Sequence, residues 1–129
     1  WHWYYPLEYR EAIYQNANNF AIDPLLIAAI IRVESKFDAN AQSARGARGL
    51  MQIMPETGAW VAAKIGIENY NDVMLLDPEI NIKIGTWYLA NLSQEFDHDL
   101  IIVLAAYNGG RGNVRKWLEK EDWDAIKEH

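Results

Sequence analysis

The chain has 129 residues, 50% of them hydrophobic and 12% aromatic, with no cysteine and a formal net charge of −6. That length and composition suit one domain with a real core and exclude an intrinsically disordered chain. The acidic balance argues against a broad grip on nucleic acid or anionic lipid, and the missing cysteines exclude disulfides, a thiolate nucleophile and thiolate metal sites. No stretch is long enough to cross a membrane, and no signal peptide is visible. The opening residues Trp1-His2-Trp3-Tyr4-Tyr5-Pro6 read equally as the remnant of an upstream anchor or linker, aromatic residues favouring membrane interfaces, and as a cap on the core.

In chain order the pattern predicts helices joined by short turns. Leu7 to about Phe20 carries apolar residues at helical spacing. Asp23-Pro24 is an N-cap followed by proline in the first turn, opening a helix that ends near Glu34. A polar, glycine-containing segment follows from Ser35 to Gly49, with room for a short β-hairpin. Pro55 opens a helix that Gly66 closes, and Asp77-Pro78-Glu79 opens another through Ile80, Ile84, Trp87, Tyr88 and Leu92. Asp97-His98-Asp99 breaks it. Leu100 to about Asn108 forms a short, very apolar helix stopped by Gly109-Gly110, and Val114–Leu118 and Trp123–Ile126 read as two weak closing helices. The fold class is mainly α, in a single domain over residues 1–129.

The seven-residue apolar run Leu25 to Ile31 leads straight into Glu34. Counting back from Glu34 at helical spacing gives Ile31, Ile30 and Ile27, so a carboxylate stands where the pattern calls for a hydrophobe. Lost hydration and the negative end of the helix dipole both disfavour its charged form. A carboxyl still protonated near neutral pH is what general acid catalysis requires. Spacing alone leaves open the alternative of a frayed last turn with Glu34 in water.

Two further patches carry polar groups in apolar company. In Gly46-Ala47-Arg48-Gly49-Leu50-Met51-Gln52-Ile53-Met54-Pro55 the glycines permit positive φ or close approach of a ligand, and Gln52 offers both donor and acceptor. In Ala105-Ala106-Tyr107-Asn108-Gly109-Gly110 Tyr107 continues the stripe Leu100, Val103, Leu104, with Asn108 at the helix end. Each patch by itself reads more readily as ordinary structure: a glycine turn feeding a helix with Gln52 bonded to backbone, or a core tyrosine before an Asn-Gly stop. His2, His98 and His129 have no zinc-site spacing, Ser35 and Ser43 lack a histidine partner for a triad, and Asn69, Asn71 and Asp72 lack the spacing of an EF-hand. No phosphate-binding loop is present. Trp60 and Trp87 sit in amphipathic helices and read as core rather than as a sugar platform.

Glu34-Ser35, then Gly49-Leu50-Met51-Gln52, then Ala106-Tyr107-Asn108 resemble, in order and spacing, the soluble lytic murein transglycosylases that carry the SLT domain. The resemblance runs from about Tyr9 to Leu118. It includes Gly49 to Gly58, Asp77-Pro78-Glu79-Ile80-Asn81-Ile82 and Gly85-Thr86-Trp87-Tyr88-Leu89. Ala39 stands where proline is common and Gly109 where alanine is common. Both are structural positions.

The resemblance implies a goose-lysozyme-like fold and cleavage of the β-1,4 bond between N-acetylmuramic acid and N-acetylglucosamine, without water, to a 1,6-anhydro sugar. It implies that Glu34 is the sole catalytic acid and base and that Ser43 steadies the N-acetyl group or the attacking hydroxyl. Gln52, Met54 and Tyr88 would line the cleft, and Tyr107 and Asn108 would face Glu34. No metal and no cofactor are implied. The partner would be peptidoglycan glycan strands, met by a monomer outside the cytoplasm, in the cell envelope. The alternatives are a hydrolytic goose-type muramidase on the same scaffold and an inactive glycan-binding module.

Overall fold

The computed structural model describes residues 7–127, with side chains to Lys120. Among the described residues the helices are α1 (Leu7–Phe20), α2 (Pro24–Ser35), α3 (Pro55–Ile65), α4 (Pro78–Glu95), α5 (Leu100–Gly109) and α6 (Arg111–Lys127), with a 3-10 turn at Asp72–Leu76 before α4. The aromatic opening, residues 1–6, and the terminal His129 lie outside them.

Local chemistry explains the boundaries. The Asp23 carboxylate accepts from the Leu25 N–H at 2.9 Å, and Pro24 follows it in the first turn. The Asp77 carboxylate does the same for Glu79 at 2.9 Å, with Pro78 next. α3 starts with proline alone, its N-cap Met54 offering no side-chain acceptor, and ends on Gly66 at φ 77°. The 3-10 turn, which periodicity did not reveal, is capped by the Asn71 side chain on the Val73 N–H.

The chain divides into two compact units between Tyr88 and Leu89, within the continuous helix α4. In the first unit α1 packs on α2 and α3 on the 3-10 turn. Its core holds Ile13, Ile27, Ile31, Leu50, Met51, Val61, Leu75, Ile82 and Ile84, all fully buried. In the second unit α5 packs on α6, and Leu89, Leu92, Phe96, Val103, Ala106 and Val114 are buried. There Glu95 accepts from Arg111 at 2.9 Å and Arg115 at 2.7 Å, and Arg111 also donates to Asn91 at 2.8 Å.

Four expectations change. The 35–54 segment forms no strand among the described residues; the hairpin reduces to isolated bridges, Gln42 with Arg48 and Arg48 with Ile53. Positive φ at Gly46, Gly49 and Gln52 bends the chain too often for a ladder to extend. The two weak closing helices are one, α6, because nothing between Leu118 and Trp123 breaks a helix. Leu100 is exposed rather than part of a buried stripe, leaving Val103 and Ala106 as the inward face of α5. Trp60 is 39% exposed and packs edge-on against half-buried Trp87, centroids 5.5 Å apart, so this pair is a surface contact rather than core.

Candidate active site

α2 carries Glu34 to the boundary of the core. Ile27 and Ile31 are fully buried and Ile30 nearly so, while Val33 on the opposite face is 79% exposed. Glu34 is half-buried at the end of this stripe. Burial raises its carboxyl above the ordinary carboxylate range, and desolvation is the cause. The helix ends one residue later: Lys36 takes a left-handed conformation and its N–H returns to the Arg32 carbonyl at 3.1 Å.

A tight loop, residues 41–54, is fastened to that helix end. The buried Ser35 hydroxyl lies 2.7 Å from the Leu50 carbonyl and 3.0 Å from the Ile31 carbonyl. The Met51 N–H donates to the Asn81 side-chain oxygen at 2.8 Å. The Asn81 amide nitrogen donates to the Leu75 carbonyl at 2.8 Å and the Arg48 carbonyl at 2.9 Å. Gly49, at φ +80°, has no room for a side chain: a Cβ there would strike the Leu75 carbonyl and the Asn81 amide. The glycine therefore serves close packing of the loop's underside.

Gln52 sits at φ 51°, an uncommon conformation for a residue other than glycine. Its Nε2 donates to the carbonyls of Gly49 at 2.9 Å and Ala41 at 3.0 Å. With both amide hydrogens committed, its oxygen is the atom left to accept from a ligand. Ser43 is exposed. Its backbone N–H donates to the Ala47 carbonyl at 2.9 Å, and its Oγ accepts from the Ala47 N–H at 3.0 Å. That leaves the hydroxyl proton to donate outward. Met54, 40% exposed, follows at the start of α3, and half-buried Tyr88 lies on α4.

Hydrogen bonds thus join Glu34's helix end to the loop bearing Ser43 and Gln52. Tyr107 and Asn108 occupy the last turn of α5 in the second unit, Tyr107 half-buried and Asn108 exposed. Sequence reasoning missed Asn81 and the bridging role of Ser35. The available signal for Asn81 was an amide one helical turn before Ile84 and Gly85, on the inward side of α4. Among the described residues no group of three His, Asp or Glu could hold a metal ion, and no helix is long and apolar enough to cross a membrane.

Comparison with known proteins places these features in a family. The transglycosylase SLT domain matches residues 11–129. The soluble lytic murein transglycosylase of Escherichia coli is 41% identical over 115 residues, covering 88% of this chain and 18% of that protein. The membrane-bound lytic murein transglycosylase C of Actinobacillus pleuropneumoniae is 35% identical, covering 92% of this chain and 35% of that one. The 70-kDa soluble lytic transglycosylase in complex with bulgecin A superimposes with a TM-score of 0.82 at 41% identity, over 88% of this chain and 19% of that one. An inactive glutamate-to-glutamine mutant of the Pseudomonas aeruginosa lytic transglycosylase Slt gives 0.81 at 37% identity, with 88% and 18% coverage. The chain spans about a fifth of the length of the soluble relatives it matches.

Proposed function

Because the chain belongs to the transglycosylase SLT domain family, with its mainly helical, lysozyme-like fold, we propose that it cleaves peptidoglycan glycan strands without water. The observation that carries the reading is Glu34. It is a half-buried carboxyl held above its usual range by desolvation, at the end of an apolar helix and tied through Ser35 to a loop that presents Gln52 and Ser43. In a structural neighbour, the Pseudomonas aeruginosa lytic transglycosylase Slt, a glutamate-to-glutamine mutant is inactive.

In the proposed reaction, protonated Glu34 donates to the glycosidic oxygen between N-acetylmuramic acid and N-acetylglucosamine, and the C1–O bond breaks. The acetamido group stabilises the cation left at C1. Glu34, now a carboxylate, takes the proton from the C6 hydroxyl of the same muramic acid as that oxygen closes on C1. A nucleophile within the same ring has a large effective concentration, so one carboxyl serves as acid and then as base. Ser43 and Gln52 meet the sugar's acetamido and hydroxyl groups, Met54 and Tyr88 line the cleft, and Tyr107 and Asn108 are further substrate-binding residues. The reading takes residues 1–129 as one catalytic domain, working as a monomer in the cell envelope. It is supported by the near-complete family match and by relatives named for murein and for membrane attachment.

Mass spectrometry of digested murein tests the proposal. Released fragments should end in 1,6-anhydro-N-acetylmuramic acid, one water lighter than hydrolysed ones and resistant to borohydride. Reducible fragments that take up labelled oxygen from water would make the chain a muramidase. No product would leave a glycan-binding module.

A further inference from the structure

The carbonyl of Leu50 and the N–H of Met51 belong to one peptide group, and each is held by a buried side chain from a different helix. Ser35, at the end of α2, takes the carbonyl at 2.7 Å, and Asn81, on α4, takes the N–H at 2.8 Å. Both holders are fixed in turn. Ser35 is 8% exposed and also reaches the Ile31 carbonyl; Asn81 is fully buried and spends its nitrogen on Arg48 and Leu75. The residue before Ser35 is Glu34, and the residue after Met51 is Gln52 at φ 51°, whose amide closes the loop onto Gly49 and Ala41.

We propose that Ser35 and Asn81 are positioning residues for the reaction, which together fix the Leu50–Met51 peptide plane and so the spacing between Glu34 and Gln52. Resting on the function proposed above, the inference adds two residues that touch no sugar. A peptide plane gripped at one end only can rotate about its flanking bonds, and Gln52 lies immediately beyond it. Rotation there moves the glutamine acceptor relative to the acid without unfolding anything, because the Leu50 and Met51 side chains stay in the core. Displacements of this kind act on the transition state more than on ground-state binding.

The test uses Ser35→Ala, Asn81→Asp and the double variant, with turnover of murein measured per folded molecule at a temperature well below each melting point. Asp keeps the size of the side chain but turns a carboxylate oxygen toward the Arg48 and Leu75 carbonyls, and the repulsion pulls the acceptor away from the Met51 N–H. Ser35→Ala should lower kcat by about 5- to 50-fold with KM changed by less than about two-fold, and Ser35→Thr, which restores a hydroxyl, should recover most of the loss. The double variant should be little worse than Asn81→Asp, because both act through one peptide. Should the Asn81 variant not fold, Ser35→Ala, its threonine rescue and faster hydrogen exchange of its Met51 amide carry the test. A normal kcat in folded Ser35→Ala, or multiplicative losses in the double variant, would overturn the proposal. A wild-type chain that makes no anhydro product would instead overturn the function on which it rests.

Discussion

α2 and α5 are both strongly apolar helices, yet they use that character in opposite ways. Ile27, Ala28, Ile30 and Ile31 of α2 are buried, and the helix presents its one carboxylate at the end of that stripe. α5 is the more uniformly apolar by composition, but Leu100 is 51% and Ile101 80% exposed, and only Val103 and Ala106 are buried. The difference teaches that spacing, not hydrophobic content, decides which side chains leave water. In the proposed reaction it also separates two kinds of role: α2 sets a carboxyl in a partly desolvated place, whereas α5 would supply a tyrosine and an asparagine from its last turn.

The largest effect expected is at the end of α2. Glu34→Gln should abolish turnover while keeping the fold and glycan binding; more than a few percent residual activity would remove Glu34 as sole acid and base. The same variant should be more stable than wild type near neutral pH. Because the folded carboxyl is raised above its unfolded value by desolvation, its contribution to stability is present below the unfolded pKa and lost as pH rises through the folded one. The advantage of glutamine should therefore vanish in acid, which paired thermal melts across pH 3–8, a range of about five units spanning ordinary carboxyl titration, would record.

At the end of α5 the effect should be smaller. Tyr107→Phe is expected to slow turnover by about 10- to 1,000-fold, roughly 1.5–4 kcal/mol in the transition state, with little loss of stability. Normal kinetics would reduce Tyr107 to a packing residue and leave Asn108 as α5's remaining proposed contribution. The contrast between the helices is tested most simply by truncation. Ile27→Ala should cost about 2–5 kcal/mol, and Ile101→Ala at most about 0.5 kcal/mol, both read from denaturant unfolding. Equal losses would mean that exposure along α5 has been misjudged.

Most of the fold was legible because its boundaries are local. Asp23-Pro24, Asp77-Pro78 and Gly66 each state a helix end in one or two residues, and the structure uses all three. Glu34 was legible as an anomaly in a periodic pattern. The loop between α2 and α3 was not, because its shape comes from bonds between residues far apart in the chain: Ser35 with Leu50, and Asn81 with Arg48 and Met51. Nothing in the local sequence predicts that Gln52 adopts positive φ, whereas the reading of a glycine turn with Gln52 bonded to backbone is met by its bonds to the Gly49 and Ala41 carbonyls. The motifs marked which residues matter there, while the reason lay in contacts that no spacing rule encodes.

The corner that follows Glu34 sets a limit on portability. Lys36 and Phe37 both have positive φ, at 53° and 63°, and neither is glycine. Two consecutive residues in that region are disfavoured by roughly 1–2 kcal/mol each, so the backbone would not turn this way unaided. Surrounding structure supplies the compensation, including Ser35's hold on Leu50 and the stacking of Phe37 on Tyr9, centroids 6.3 Å apart. The acid's environment is thus a property of the assembled unit and not of the helix that carries it. Transplanting Pro24–Ser35 alone onto another scaffold would move the glutamate and leave its corner behind.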